Sequence, residues 1–124
     1  MFTIDTQSEH KLVRIKLSGM LTLEEVQELY RQEHDAIRRM GCVLGEQIVL
    51  VDITECPVQM QPIVSAFQAT MDRPDRAWRL AMVTGSSLSR IQARRVAKRE
   101  HVVMFDTPAQ AEEWLFAEMR KRAA

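Results

Sequence analysis

The fold of this 124-residue chain is decided by one stretch, Ile48 to Val64, which reads IVLVDITECPVQMQPIV. It opens with a nearly continuous apolar run of strand length, and such runs are typical of a strand that is covered on both faces. The stretch then passes the acid Asp52 and a short link before it reaches Pro62, which fits the first turn of a helix. A strand that gives way to a helix indicates an α/β protein, in which functional groups often lie at that junction.

Strands and helices alternate along the rest of the chain. The runs FTIDT and LVRIKL alternate apolar and polar residues and predict an opening β-hairpin. Thr22 and Glu25 have capping-box spacing at the start of a first helix, and Gly41 suits its end. The runs WRLAMVT and HVVMFD predict two more strands, each followed by a helix. We therefore predict the order β-β-α-β-α-β-α-β-α in one domain, residues 1–124, with a single-layer mixed sheet of four to five strands, helices packed against it and a frayed tail over residues 118–124.

The composition limits the classes of function. The 17 basic and 17 acidic residues give a formal net charge of zero, so a general attraction to nucleic acid or to anionic membranes is not indicated. Cys42 and Cys56 are not a close pair and predict free thiols in a reducing compartment. The first residues contain acids and no apolar run, and no stretch has the length of a membrane span. We expect a cytoplasmic protein without stable membrane insertion.

Four segments in order resemble the STAS-like superfamily, the sulfate-transporter and anti-sigma-factor-antagonist domains. They read LSGMLTLEEVQELY, IVLVDIT, WRLAMVTG and VVMFDTPAQAEEWL, and the resemblance spans residues 10–117. It is strongest to the stand-alone bacterial members, which are related in fold to CRAL-TRIO lipid-transfer domains. The resemblance implies a mixed sheet with packed helices, and a binding or regulatory role more often than catalysis.

The chain departs from this superfamily at one functional motif. In the anti-sigma-factor antagonists, an Asp-Ser-Ser-Gly-Leu motif at a helix start carries a serine whose phosphorylation disrupts docking to a kinase partner. The corresponding positions here are residues 59–63, which read QMQPI and contain no hydroxyl residue. The resemblance therefore does not bring the phosphoserine switch to this chain.

The link between the strand and the second helix is apolar instead, and it predicts a ligand site. Flexible methionine suits adaptable contacts, although a loop folded onto its own core has the same composition. After the next strand, the VTGSSLSR turn offers amides at a helix start, which suit either an anion or a serine cap. We predict a groove between the second and third helices for a small lipophilic or anionic ligand. Its residues are Pro57, Met60, Ile63, Phe67, Gly85, Ser86 and Ser87.

The third helix carries the strongest cluster of positive charge. Leu88, Ala93, Val96 and Ala97 are expected on its buried side, and the cluster consists of Arg90, Arg94, Arg95 and Lys98. The cluster predicts docking of an acidic protein partner, or a solvated face offset by the acids of the first helix, Glu24, Glu25, Glu28, Glu33 and Asp35. These opposite charges also suit a homodimer. No aromatic residues interleave with the cations, which argues against nucleic acid.

Catalysis and metal binding find little support. His10, His34 and His101 are isolated in sequence, with no second histidine or cysteine at metal-ligand spacing. Neither cysteine has a nearby histidine, and Asp52 suits a turn cap better than a general base. We therefore predict a non-enzymatic binding or regulatory domain with no catalytic residues, metal or cofactor. The alternative is a protein-interaction module of a bacterial signalling pathway that docks through the basic third helix, and a small enzyme ranks third.

Overall fold

The computed structural model describes residues 1–85 and 87–124, which form one five-stranded sheet with four α-helices. The strands are β1 (Phe2–Gln7), β2 (Leu12–Ser18), β3 (Ile48–Glu55), β4 (Arg79–Val83) and β5 (Val102–Phe105). The helices are α1 (Leu23–Arg39), α2 (Gln61–Met71), α3 (Ser87–Val96) and α4 (Pro108–Ala123). A short 3₁₀ helix, Ser8–His10, joins β1 to β2. The predicted order of elements is confirmed.

The sheet has the order β1-β2-β3-β4-β5, and only its first pair is antiparallel. Phe2 pairs with Leu17 and Gln7 with Leu12, so the predicted hairpin is confirmed. β3 runs parallel to both β2 and β4, and β5 runs parallel to β4. The predicted mixed sheet is thus parallel apart from one antiparallel edge.

The two faces of β3 explain its continuous apolar sequence. Ile48 and Leu50 belong to the core beneath α4, together with Leu115, which is fully buried. Val49 and Val51 point to the opposite face, into the larger core beneath α1, α2 and α3. Successive side chains of a strand alternate between faces, so a central strand covered on both sides must be apolar throughout.

The ends of α1 follow their sequence signals. The Thr22 side chain accepts a hydrogen bond from the Glu25 amide, and the Glu25 carboxylate accepts one in return from the Thr22 amide. Gly41 adopts a φ of +71° directly after the C-cap residue Met40. Only glycine takes this left-handed conformation readily, so the helix stops there.

The structure corrects the predicted register of α3. The helix ends at Val96, and its buried residues are Ser89, Ala93 and Val96, which recur at helical spacing. Leu88 was expected on the buried side but is 69% exposed. Ser89 takes the inner position because its hydroxyl donates a 2.8 Å hydrogen bond to the Cys56 carbonyl.

The C-terminal segment, residues 118–124, for which the sequence predicts a frayed tail, belongs to α4 as far as Ala123. The Arg122 guanidinium lies 4.1 Å from the centre of a Trp78 ring and donates a 2.9 Å hydrogen bond to the Glu46 carbonyl. A cation over an aromatic face contributes about 0.5–1 kcal/mol at an exposed site, so these contacts hold the last turn. None of the helices in the described part of the chain is long and apolar enough to cross a bilayer.

Candidate functional site

A cavity of about 120 Å³ lies between the sheet and the three helices α1, α2 and α3. The sheet lines it with aliphatic side chains from its three middle strands: Ile15, Leu17, Val49, Val51, Ile53, Leu80 and Met82. An apolar cavity of about 150 Å³ in another protein admits benzene, so this volume suits a molecule of similar size. The sheet face thus forms the apolar floor of a candidate binding site.

The helices form the roof of the cavity. α1 contributes Leu29 and Tyr30, and α2 contributes Val64 and Phe67. The rings of Tyr30 and Phe67 meet edge to face at a centroid distance of 6.2 Å, which is a favourable aromatic geometry. Burial raises the pKa of Tyr30 well above its usual range, so the phenol stays neutral and adds to the apolar lining.

One end of the cavity is polar and is dominated by Glu33. This residue lies on α1, is only 9% exposed and lines the cavity. Within the part of the chain that the structure describes, no hydrogen bond or ion pair engages its carboxyl group. Burial, and secondarily the nearby charge of Asp75, raises the pKa of Glu33 to about 7. Buried acids normally have partners, so a carboxyl group that faces a cavity without one is unusual.

His101 completes the polar end. It directly precedes β5, is 8% exposed, and its Nε2 has no hydrogen-bond partner among the described residues. Burial lowers the pKa of His101, and the positive charges of Arg76 and Arg99 lower it further, so the ring is neutral near pH 7. The cavity wall therefore holds the Glu33 carboxyl group and the His101 Nε2 atom, neither of which has a hydrogen-bond partner among the described residues.

The charges around Glu33 are already paired with one another. The Arg73 guanidinium donates hydrogen bonds of 3.0 and 3.2 Å to the two carboxylate oxygens of Asp75. His34 Nε2 lies 3.9 Å from the Asp75 carboxylate. Arg73 thus pairs with Asp75, and no cation of the described residues pairs with Glu33.

The opposite end of the cavity is closed by two glutamines. Gln59 lies in the loop before α2, Gln92 lies on α3, and both line the cavity. The Gln59 side chain also accepts a 2.9 Å hydrogen bond from the Leu21 amide and donates one of 3.0 Å to the Gly19 carbonyl. These contacts tie together the loops that follow β2 and β3.

The predicted ligand residues are only partly brought together. Pro57 and Phe67 line the cavity. Ile63 is buried in the core, and Met60 is 65% exposed at the N-cap of α2, outside the cavity wall. The remaining three, Gly85 to Ser87, follow β4. Ser86 and the Ser87 side chain lie outside the described residues.

Gly85 has a structural reason to be glycine. A β-carbon at this position would lie 2.9 Å from the Thr54 carbonyl oxygen, which is closer than real side chains approach. The backbone of the segment that follows β4 therefore meets the end of β3 here. No anion contact is needed to account for this glycine.

The basic cluster of α3 divides into one paired and three exposed cations. Arg90 forms an ion pair with Asp106. Arg94, Arg95 and Lys98 are exposed, and their side chains make no ion pair with any residue that the structure describes. Lys98 lies beyond the end of α3, so these three form a patch at the C-terminal half of the helix and the following turn.

Asp52 and the two cysteines, which were candidate reactive groups in the sequence, occupy structural positions. The Asp52 carboxylate accepts hydrogen bonds of 2.9 Å from the Thr54 amide and 2.7 Å from its hydroxyl, as expected of a turn cap. Both cysteines are buried free thiols. Within residues 1–85 and 87–124, no three side chains among His, Cys, Asp and Glu form a group that could hold a metal ion.

The sequence contains a pattern that indicates the burial of Glu33, although the prediction did not use it. Glu33 was grouped with the exposed acids of the first helix, but it is buried. It lies on the same stripe as Val26, Leu29 and Ile37, at helical spacing. An acid within an apolar stripe must be buried if the stripe is, and this pattern distinguishes Glu33 from Glu24 or Glu28.

Comparisons with known proteins establish the fold. No family model matches the chain, and no curated protein matches it. Among solved structures, it is similar to an uncharacterized protein of the DUF3478 family with a SpoIIAA-like fold from Shewanella loihica PV-4, at 21% identity and a TM-score of 0.68, over 93% of this chain and 92% of the other. It is also similar to the anti-sigma factor antagonist SpoIIAA in its unphosphorylated form, at 17% identity and a TM-score of 0.62, over 97% and 98% of the two chains. The chain therefore has a SpoIIAA-like fold.

Proposed function

We propose that this protein is a binding domain without catalytic activity that holds a small, largely apolar molecule in the cavity beneath α1, α2 and α3. The observation that carries the proposal is the apolar cavity with two buried polar groups, Glu33 and His101, that have no partner among the described residues. Protein interiors are normally close-packed, and buried polar groups are nearly always hydrogen-bonded. A cavity whose wall holds unpartnered polar groups departs from both rules and suits a ligand.

A lipophilic body fits this site better than an anion does. The walls between the polar end and the glutamines are aliphatic and aromatic, as small-molecule sites usually are. An anionic group beside Glu33 would meet an acid of the same charge. Of the earlier candidates, Pro57 and Phe67 remain in the proposed site, whereas Met60 and Gly85 lie outside its wall.

The experiment is native mass spectrometry of the protein purified gently from its own host, with two variants. Ala93 lines the cavity from α3, so Ala93→Leu places three more carbon atoms in the ligand's space. Ala69 is exposed on α2, so Ala69→Leu is the matched control. We expect a retained small molecule in the wild type and in Ala69→Leu but not in Ala93→Leu. Retention by Ala93→Leu would place the ligand elsewhere, and a bare wild type that also fails to bind benzene would contradict the proposal.

A protein partner is the second candidate function. The SpoIIAA-like fold is consistent with a regulatory or protein-interaction module. Large apolar side chains are exposed on α3 and on the loop before α2, where Leu88 is 69% and Met60 65% exposed. The exposed cations Arg94, Arg95 and Lys98 lie on or just after the same helix.

Charge reversal separates the two functions. Arg94→Glu combined with Lys98→Glu should abolish capture of an acidic partner in a pull-down and leave ligand retention in the cavity unchanged. Met60→Asp should likewise spare the cavity ligand, because Met60 does not line the cavity. Loss of the cavity ligand in Met60→Asp would instead support the originally predicted groove.

A further inference from the structure

We propose that the ligand carries a protonated amine on a small apolar body, and that the Glu33 carboxylate receives this amine. The inference rests on the proposed function, since it assigns a chemical class to the molecule in the same cavity. Its basis is the position of Glu33, a buried acid in the cavity wall with no hydrogen bond or ion pair to any described residue.

The two arginines of the cavity wall, Arg73 and Arg76, make no ion pair with Glu33 among the described residues. Arg73 is engaged with both carboxylate oxygens of Asp75. Arg76 donates a 3.3 Å hydrogen bond to the Arg73 carbonyl, and Arg99, which does not line the cavity, donates two of 2.8 Å to Asp72. An ionised acid in an apolar site is costly unless a positive group joins it. Since no described residue pairs with the Glu33 carboxyl group, a cationic ligand would complete the pair.

The second unpartnered group fits the same ligand. An ammonium group has three hydrogens to donate, and a carboxylate accepts only some of them. A neutral histidine with its proton on Nδ1 presents Nε2 as an acceptor. His101 is neutral near pH 7 and its buried Nε2 has no described partner, so it can take a further hydrogen from the amine.

Amine binding should be coupled to a proton. Burial and Asp75 raise the pKa of Glu33 to about 7, so the acid is only partly ionised at neutral pH. An ammonium partner favours the ionised form, and binding therefore releases a proton below about pH 7. The other titratable or charged groups of the cavity wall are Tyr30, His34, Cys56, Arg73, Asp75, Arg76 and His101. The affinity for an amine should rise as the pH rises through the pKa of Glu33.

The test compares two probes of equal size, cyclopentylamine and cyclopentanol, by isothermal titration calorimetry on the full chain. At about pH 8 the wild type should bind the amine at least about tenfold more tightly than the alcohol, because hydrogen bonds between charged groups are the stronger ones. At about pH 6 this preference should shrink, with proton release visible as a dependence of the heat on the buffer. Glu33→Gln should lose the preference, and Glu24→Gln, an exposed acid on the same helix, should retain it.

The outcomes separate this inference from the proposed function. Benzene binding by the wild type and by Glu33→Gln shows that the cavity accepts apolar molecules irrespective of the acid. If benzene binds but the wild type does not prefer the amine at either pH, the inference is wrong and the proposed function stands. If the wild type binds neither benzene nor the amine, both are wrong. The pH dependence of the wild type decides the matter even if Glu33→Gln does not fold.

Discussion

The side-chain amide of Gln92 and the backbone of Gln59 exchange two hydrogen bonds of 2.8 Å each. The Gln92 oxygen accepts from the Gln59 amide, and the Gln92 nitrogen donates to the Gln59 carbonyl. A single side chain on α3 thereby holds the loop before α2 over one end of the cavity. Gln59 uses its own side chain to bind the backbone of residues 19–21, so the two residues join three segments of the chain.

Gln92→Ala should destabilise the protein by about 1–3 kcal/mol, since it leaves a part-buried amide and carbonyl of Gln59 without partners. The measurement is urea unfolding followed by circular dichroism. Gln27→Ala on the exposed face of α1 is the control and should change the free energy of unfolding by less than about 0.5 kcal/mol. Equal effects of the two substitutions would show that the two hydrogen bonds between Gln92 and Gln59 contribute nothing to stability.

Glu33 should make the ligand-free protein less stable as the pH rises. Its pKa is about 7 in the folded state against an ordinary value of 4.5, so the folded state binds the proton more tightly than the unfolded state. The contribution of Glu33 to the free energy of unfolding is therefore most favourable below the unfolded-state pKa of 4.5. It is lost as the pH rises to the folded-state pKa of about 7, by about 3 kcal/mol in all.

Glu33→Gln removes this titration, so the difference between the variant and the wild type reports the contribution of Glu33 apart from that of other titratable groups. The variant should match the wild type near pH 4 and exceed its free energy of unfolding by about 3 kcal/mol near pH 8. Thermal or urea unfolding at a series of pH values measures the difference. A difference that does not change with pH would show that Glu33 titrates normally.

Neither cysteine should react readily in the folded protein. Burial raises the pKa of Cys56 to about 11 and raises the pKa of Cys42 as well. At about pH 8 only about one Cys56 thiol in a thousand is the reactive thiolate. Ellman's reagent should therefore label the native protein slowly and the urea-unfolded protein at once. Equally fast labelling in both states would contradict the burial of the thiols.

Gly85→Ala should destabilise the protein by about 1–3 kcal/mol, because the added carbon meets the Thr54 backbone at 2.9 Å and one of the two segments must shift. The assay is urea unfolding, with ligand binding measured in parallel. An unchanged stability together with lost binding would instead support the predicted anion site at this turn.

The sequence predicted the order of the elements because local signals dominate there. The capping box of Thr22 and Glu25, the glycine after α1 and the apolar run of β3 each act within a few residues. The register of α3 was predicted wrongly because apolar character favoured Leu88 as the buried residue. The bond from Ser89 to the Cys56 carbonyl, 33 positions away in sequence, placed a serine inside instead.

The cavity could be predicted only in part, because contacts between residues that are distant in sequence assemble it. Pro57 and Phe67 lie near the apolar link that indicated a site, and both line the cavity. Its polar end assembles residues from α1, from the segment before β4 and from the residue before β5. Glu33 and His101 line the same cavity only because of the sheet topology, and no local pattern relates them.

Methionine-methyl NMR during a benzene titration tests most directly whether the cavity binds a small apolar molecule. The eight methionines provide the reporters and the controls. Met71 and Met82 line the cavity, whereas Met20 and Met60 are exposed and do not. We predict saturable shifts of Met71 and Met82 with Met20 and Met60 unmoved. Unshifted Met71 and Met82, or shifts confined to the exposed methionines, would contradict the account.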